Sequence, residues 1–425
     1  MTLRWQTFFD SRNRRILVKN FFSLGAANVI LSLVSLITIP YLMRVIGPGK
    51  YGLLAFAQVF VQYFILLTDY GFNFSANREV AIHKNNPEQL NLIFNSVFAV
   101  RIIFFLTCFS VFSALVIFVP PFNQNRLVYL LSFGAVLGNI LIPTFFFLGM
   151  EKMDYVLWTS LWPLPFTTLI FFYVKKEVDF LYVPLLGALG SITSGIWALV
   201  MVSVKFKIRF FLPPFKKIIH QFQAGWHVFI SNAAGTCYNN SRLFMLGLFS
   251  SHAITGYYAV AERLMALVIF FPLGLFLQTV FPRLSSLYPQ NPEGVRSLIR
   301  SFHRASILVY LVMLPLLFFY AAPLVRLTCG KAYPESIISF RILLVATLIV
   351  ASQAMPLQAF LIYGQSASFA RINIIYGLIG PIPTLAAIYF FSYRGAAGSL
   401  VVMALVAAFL ILREQQRAPN QKTGA

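Results

Sequence analysis

Run after run of about 20 mostly apolar residues, the length that crosses a hydrocarbon core, fills this 425-residue chain. With 59% hydrophobic and only 11% charged residues, such a composition would not stay dissolved as a water-exposed globule, so the class is polytopic membrane protein. Span-length apolar runs read as helices, which satisfy their own backbone polar groups in lipid. Twelve are predicted, over residues 20–45, 51–74, 93–118, 127–149, 155–174, 180–204, 222–248, 254–281, 305–327, 337–363, 369–391 and 396–412. The fifth is interrupted by Pro163 and Pro165. Residues 1–19 are basic, but the apolar run after them is span length and lacks a small-residue cleavage site, so no removable leader is expected.

Lys and Arg set the orientation. With Arg44, Arg326 and Arg371 at span edges counted on the side they adjoin, 21 of the 33 basic residues fall on the side of the N-terminus, eight on the opposite side and four farther inside spans. Both termini are therefore expected in the cytoplasm, and the net charge of +21 follows from topology rather than from nucleic-acid binding. A faint repeat divides the chain. Gly52, Ala55, Ala57 and Gln58 recur as Gly256, Ala259, Ala261 and Glu262, offset by 204 residues. Six spans per half is an even number, so the halves insert the same way up, as parallel repeats about the membrane normal. The expected fold is all-α, with about twelve transmembrane helices in two parallel six-helix halves around a central cavity. Its parts are a basic cytoplasmic N-terminus (1–19), a first bundle (20–204), a basic cytoplasmic linker with Pro213-Pro214 (205–221), a second bundle (222–412) and a cytoplasmic tail (413–425).

Arg101, Arg242, Arg263 and Arg341 lie within the apolar runs. A cation at the bilayer centre costs about 2.5–3.5 kcal/mol on insertion scales, so such residues face a bundle interior or an aqueous path. Polar residues share helix faces beside them. Gln58, Gln62, Asp69 and Asn73 form one stripe; Asn232, Gly235, Asn239 and Arg242 form another; and Asn28, Ser32 and Ser35 a third. Arg78 and Glu79 stand near the cytoplasmic mouth. The stripes read as the lining of a shared cavity, the alternative being hydrogen bonds that glue packed helices together. For Arg341 the alternative is a side chain snorkelling to the interface, for Arg78 and Glu79 a structural charge cluster, and for Arg242 a partner for Glu262. The guanidinium fork suits phosphate, donating two parallel hydrogen bonds and holding its charge at any relevant pH. Only Asp69 and Glu262 are acids within the spans. A site for cationic drugs, or a dedicated sodium or proton site, would be expected to have carboxylates in the majority, so the cargo reads as an anion.

Cys108, Cys237 and Cys329 form an odd set without CxxC spacing, so no disulfide framework is expected, and the five histidines lack metal-ligand spacing. No cofactor or metal is expected, and coupling to protons or sodium stays open.

The run Pro40-Tyr41-Leu42-Met43-Arg44-Val45-Ile46-Gly47-Pro48-Gly49-Lys50-Tyr51-Gly52 is followed by Thr68-Asp69-Tyr70-Gly71-Phe72-Asn73-Phe74-Ser75-Ala76-Asn77-Arg78-Glu79. Together they resemble the motifs of Wzx-type polysaccharide-biosynthesis flippases, of the multidrug/oligosaccharidyl-lipid/polysaccharide exporter superfamily. Gly256-Tyr257-Tyr258-Ala259-Val260-Ala261-Glu262-Arg263 is similar to that family's second-half signature. The resemblance implies a non-enzymatic carrier of an undecaprenyl-pyrophosphate-linked O-antigen unit, from the cytoplasmic to the periplasmic leaflet of a bacterial inner membrane. It matches Arg78–Glu79 and Glu262–Arg263 to the family's charged pairs; Arg101, Arg242 and Arg341 rest on the physical argument alone. Expected partners are the lipid-linked oligosaccharide, the bilayer, a polysaccharide polymerase and a chain-length regulator, with no nucleic acid. Alternatives are a cation-coupled drug exporter of the same superfamily and a membrane polymerase or ligase, the latter disfavoured by short external loops.

Overall fold

The computed structural model describes residues 29–274, 281, 284–285 and 287–417, without the side chains of residues 227, 228, 231 and 232. Among the described residues the regular structure is helical throughout. Nine helical stretches among the described residues are long and apolar enough to cross a membrane, and a shorter apolar helix, α1 (Val29–Val45), precedes them. The 35-residue α11 (Phe215–Phe249) is long enough but is not one of the nine, because Asn239, Asn240 and Arg242 dilute its apolar character.

In the first half, α1 leads into α2 (Gly47–Asp69), α3 (Phe72–Ile82), α4 (Pro87–Phe118), the short α5 (Pro120–Asn123), α6 (Arg126–Leu141), α7 (Thr144–Gly149), α8 (Met153–Leu161), α9 (Leu164–Tyr173) and α10 (Tyr182–Phe206). Predicted spans are broken where the backbone demands it. The second is not one helix: Tyr70 (φ 44°) and Gly71 (φ 76°) both turn left-handed between α2 and α3. The fourth breaks at Ile142–Pro143 and the fifth at Trp162–Pro163, as expected where a ring replaces the N–H. The entry to α4 is fixed by Asn86, whose side chain accepts from the Gln89 N–H at 3.2 Å, ahead of Pro87 in the first turn.

The second half runs through α11, α12 (His252–Ile269), a π-helical turn over Phe270–Gly274, α13 (Pro292–Phe319), α14 (Ala321–Cys329), α15 (Pro334–Ile362), α16 (Ser366–Ile379) and α17 (Pro381–Arg417). Pro272 has no N–H for the Val268 carbonyl one turn back; the Tyr310 hydroxyl donates to it at 3.3 Å and to the Ile269 carbonyl at 3.2 Å. The ninth span was expected to begin at 305, but its helix starts at Pro292, with Asn291 capping the Gly294 N–H at 2.9 Å. Within α17, Ser392 is non-helical (φ 50°, ψ −128°). Gly395 then lies against the Ala387 backbone. Eight residues of continuous helix would hold these two about 12 Å apart, so the chain doubles back at Ser392.

Buried side chains gather into separate cores. One joins Leu42, Phe56, Phe60, Phe112, Tyr129 and Phe133 of the first half, and another Tyr238, Tyr258, Tyr310, Phe340 and Met403 of the second. Helices α2 and α12 meet between them. There a Cβ on Gly52 would collide with the His252 carbonyl, and a Cβ on Gly256 with the Pro48 carbonyl. Small residues allow this approach, because packing rather than a hydrophobic driving force brings helices together in lipid.

Candidate functional site

From the Gly52–Gly256 contact, α2 and α12 run on with polar side chains uncovered. Gln58 and Gln62 on α2, and Arg263 on α12, are exposed. In apolar helices such residues turn to an aqueous space rather than to lipid. On α11, Gly235 faces open space and Asn239 is exposed; the Asn232 side chain and all of Asn28 lie outside the described residues.

Further along, a cavity of about 220 Å³ is lined by Gln62, Ile65, Leu66, Asp69, Gly71, Asn73, Phe74 and, from α11, Thr236. The break at Tyr70–Gly71 interrupts the predicted single stripe but keeps its chemistry. Asn73, in the first turn of α3, still donates to Asp69 Oδ2 at 2.9 Å. The other oxygen of Asp69 accepts from Arg101 at 2.9 Å. Arg101 stands behind that carboxylate rather than among the cavity-lining residues, its side chain 3% exposed against 29% for Asp69. It also donates to the Ile142 carbonyl (2.9 Å), the Asn139 carbonyl (3.0 Å) and Asn139 Oδ1 (3.2 Å). The two main-chain carbonyls have lost their i+4 donors at Pro143 and the end of α6, and keep only short-range bonds from the Ile142 N–H (3.1 Å) and the Thr144 N–H (3.0 Å). Arg101 thus closes a broken helix and neutralises Asp69 at once.

The second half holds a matching pair. Arg242 donates to Glu262 Oε1 through Nε (3.3 Å) and a terminal nitrogen (3.1 Å), with side-chain exposures of 5% and 21%. Its guanidinium lies over the Tyr238 ring at 5.2 Å, and one terminal nitrogen has no hydrogen-bond partner among the described residues. In each half a buried arginine thus stands behind a carboxylate that reaches open space. Next to this pair Arg263 donates to Ser35 Oγ at 2.7 Å, linking α12 to the polar face of α1.

The remaining predicted residues are not brought together with these. Arg341 donates to the Phe318 carbonyl at 3.3 Å and lies over its ring, capping the end of α13. Glu79 accepts from Gln221 at 2.6 Å and lies 4.0 Å from His220, tying α3 to the start of α11. Its neighbour Arg78 is exposed. Three contributors escaped the sequence reading. Thr236 lies one residue off the stripe through Gly235, and Tyr63 donates to the Cys237 carbonyl at 3.5 Å without any pattern to mark it. Asn139 did leave a signal: it is the only asparagine in its predicted span, four residues before a proline. A fourth, Arg44, reaches from α1 to the Leu327 carbonyl of α14 at 2.5 Å, bridging the halves at the Gly52 end.

Comparison with known proteins adds four findings. Residues 17–288 match the family described as polysaccharide biosynthesis protein. A relative in Escherichia coli (strain K12), named as a putative O-antigen transporter, is 26% identical over 403 residues, covering 94% of this chain and 97% of the relative. Among solved structures, an inward-facing multidrug resistance MATE family transporter of the MOP superfamily is similar over 94% of this chain and all of that one, with a TM-score of 0.71 at 14% identity. The lipid II flippase MurJ in an inward closed conformation is similar over 92% of this chain and 87% of its own, with a TM-score of 0.70 at 12% identity. The two structures speak to the fold.

Proposed function

The chain belongs to the polysaccharide biosynthesis protein family, and from that premise we propose that it moves undecaprenyl-pyrophosphate-linked O-antigen or related repeat units from the cytoplasmic to the periplasmic leaflet. The observation that carries this reading is the polar space between the halves, shut where Gly52 meets Gly256 and lined further along by Gln62, Asp69, Asn73 and Thr236. With both termini inside, as the basic residues argue, the shut end is periplasmic and the lined end cytoplasmic. Such a geometry accepts cargo from the inside. The halves then rock about a midplane site while the lipid tail stays in the bilayer.

In this reading the arginines work by partner exchange. Arg263 and Arg78, exposed and free of carboxylate partners among the described residues, meet the pyrophosphate first. Arg242 is held by Glu262 when the space is empty. Stripping a buried arginine of its acid costs about 3–5 kcal/mol if nothing replaces it. A pyrophosphate oxygen supplies that replacement, so the incoming anion separates Arg242 from Glu262 and biases the rocking. Asp69 and Arg101 form the equivalent junction in the first half, with Arg101 positioning Asp69. A proton taken up by the released Glu262 is the route by which an ion gradient would couple. The roles of Gln58, Asn28, Asn232 and Asn239 are to hydrate the sugar as it passes. Arg341, committed to the Phe318 carbonyl, serves as a helix cap.

Deleting the gene tests the reading: undecaprenyl-linked units accumulate on the inner face if it holds. Normal surface polysaccharide in the deletion strain excludes it.

A further inference from the structure

The segment between α10 and α11 does not have the structure of a slack tether. Its sequence, Lys205-Phe206-Lys207-Ile208-Arg209-Phe210, alternates basic and apolar residues, then continues through Phe211, Leu212, Pro213 and Pro214 to Phe215-Lys216-Lys217. Lys205 and Phe206 close α10, and Lys207 turns left-handed at its end (φ 56°). Beyond that turn Ile208 is buried, whereas Lys205, Lys207 and Arg209 are exposed.

The backbone of this segment is pinned by two asparagines of α4. Asn91 accepts from the Arg209 N–H at 2.7 Å. Asn95, 4% exposed, donates to the Arg209 carbonyl at 2.9 Å and accepts from the Phe211 N–H at 3.1 Å. One buried amide thus imitates the pairing of a neighbouring strand. The first turns of α11 then show three arcs. Gln221 and Gly225 face the protein, against Glu79 and Tyr70. Phe215, Ile219, Phe222 and Trp226, at helical spacing, are 73%, 40%, 42% and 46% exposed. Lys216 and Lys217 occupy the remaining side, exposed. Leu212, just before, is 88% exposed.

From this we infer that the interhalf segment is a preformed ledge that binds the headgroups of anionic phospholipids, with Leu212, Phe215 and Ile219 dipping into the acyl boundary and Lys207, Arg209, Lys216 and Lys217 meeting the phosphates. Among the described residues, none of the bases at 205, 207, 209, 216 and 217 is paired with an acid. Basic residues flanked by exposed apolar ones at the end of a membrane helix are the pattern of attraction to a negative leaflet. The ledge joins the two halves, so lipid charge acts on the element that must bend when they rock. The lipid site itself does not depend on the cargo assigned above.

The test uses the full-length protein in mixed micelles, melted with phosphatidylglycerol or with phosphatidylcholine, and titrated to obtain the apparent affinity. Phosphatidylglycerol raises Tm and phosphatidylcholine does not. The combined variant Lys207→Gln, Arg209→Gln, Lys216→Gln, Lys217→Gln loses roughly fivefold in affinity for each base removed. Four substitutions at the opposite end, Arg126→Gln, Lys175→Gln, Lys176→Gln and Arg394→Gln, leave the affinity unchanged. Asn95→Leu keeps every base but frees the Arg209 carbonyl and the Phe211 N–H, and weakens binding several-fold because the ledge loses its shape. Wild-type binding weakens as salt is raised, which keeps the test decisive even if the combined variant does not fold. The inference is overturned if the combined variant binds like wild type, if Asn95→Leu binds like wild type, if wild-type binding is indifferent to salt, or if glycerol 3-phosphate alone reproduces the stabilisation, which would make this a site for free phosphate.

Discussion

Gly52 and Gly256 stand in equivalent places on two parallel helices, each pressed to the other's backbone: the Cβ direction of Gly52 meets the carbonyl of His252, and that of Gly256 the carbonyl of Pro48. Both carbonyls lie four residues before the facing glycine, and both pairs are 204 residues apart in the chain. The contact is therefore reciprocal, as an internal two-fold axis between the halves requires. Any side chain larger than hydrogen wedges it open. Gly52→Val and Gly256→Val are each expected to cost about 1–3 kcal/mol by overpacking and to stop export of surface polysaccharide. Both variants exporting at the normal rate would show that this contact plays no part in transport.

A second contact backs up the same end. Gly330 (φ 77°) leaves room for the Arg44 side chain, which donates to the Leu327 carbonyl. An alanine there is strained by about 1–2 kcal/mol in the left-handed region and displaces Arg44. In Gly330→Ala, cysteines placed at Met43 and Val325, which share one small cluster, should cross-link more slowly than in the parent. Equal rates would mean that Arg44 does not hold this end shut.

The burial of Arg101 divides its two duties. Arg101→Ala removes the counter-charge of Asp69, which keeps only its bond from Asn73, and one donor each from the Asn139 and Ile142 carbonyls, so Tm and the amount in the membrane fall, with a cost of up to about 3–5 kcal/mol for the broken ion pair. Arg101→Met with Asp69→Leu removes both charges and should recover much of that stability without recovering export. If the double variant transports normally, the pair is only a structural plug.

Glu262→Gln keeps the side chain's shape and removes the charge that holds Arg242. Slower transport per molecule in the membrane is expected, because Arg242 is then no longer partitioned between the carboxylate and the pyrophosphate; Tm falls as well, since buried Arg242 loses its counter-charge. Export at the normal rate would move the switch away from Glu262.

Much of this architecture was legible from apolar run length, since lipid leaves a chain few alternatives, and the Gly52/Gly256 repeat pointed at the seam between the halves. The breaks were less visible. Pro143 and Pro163 carry a signal, but Tyr70 and Ser392 take positive φ without the glycine that would announce it; only Gly71, beside Tyr70, hints at a turn. For the charges, hydropathy gives depth and not partner. It found Arg101 and Arg341 buried in apolar sequence, yet both spend donors on the carbonyls of helix ends, which depend on chain breaks that hydropathy cannot see. The Arg242–Glu262 pair stood in the sequence only as the alternative to a cavity-lining Arg242, open because the two stripes are so short of acids.

The central claim is that the polar space between the halves passes a lipid-linked anion. The most direct measurement is flipping of a fluorescent undecaprenyl-pyrophosphate-linked oligosaccharide in vesicles containing the purified protein, followed by quenching from outside. The account predicts protein-dependent flipping that is lost in Arg242→Ala and partly kept in Arg242→Lys, which preserves the charge but not the fork. Flipping no faster than in protein-free vesicles, or Arg242→Ala flipping at the wild-type rate, would contradict it.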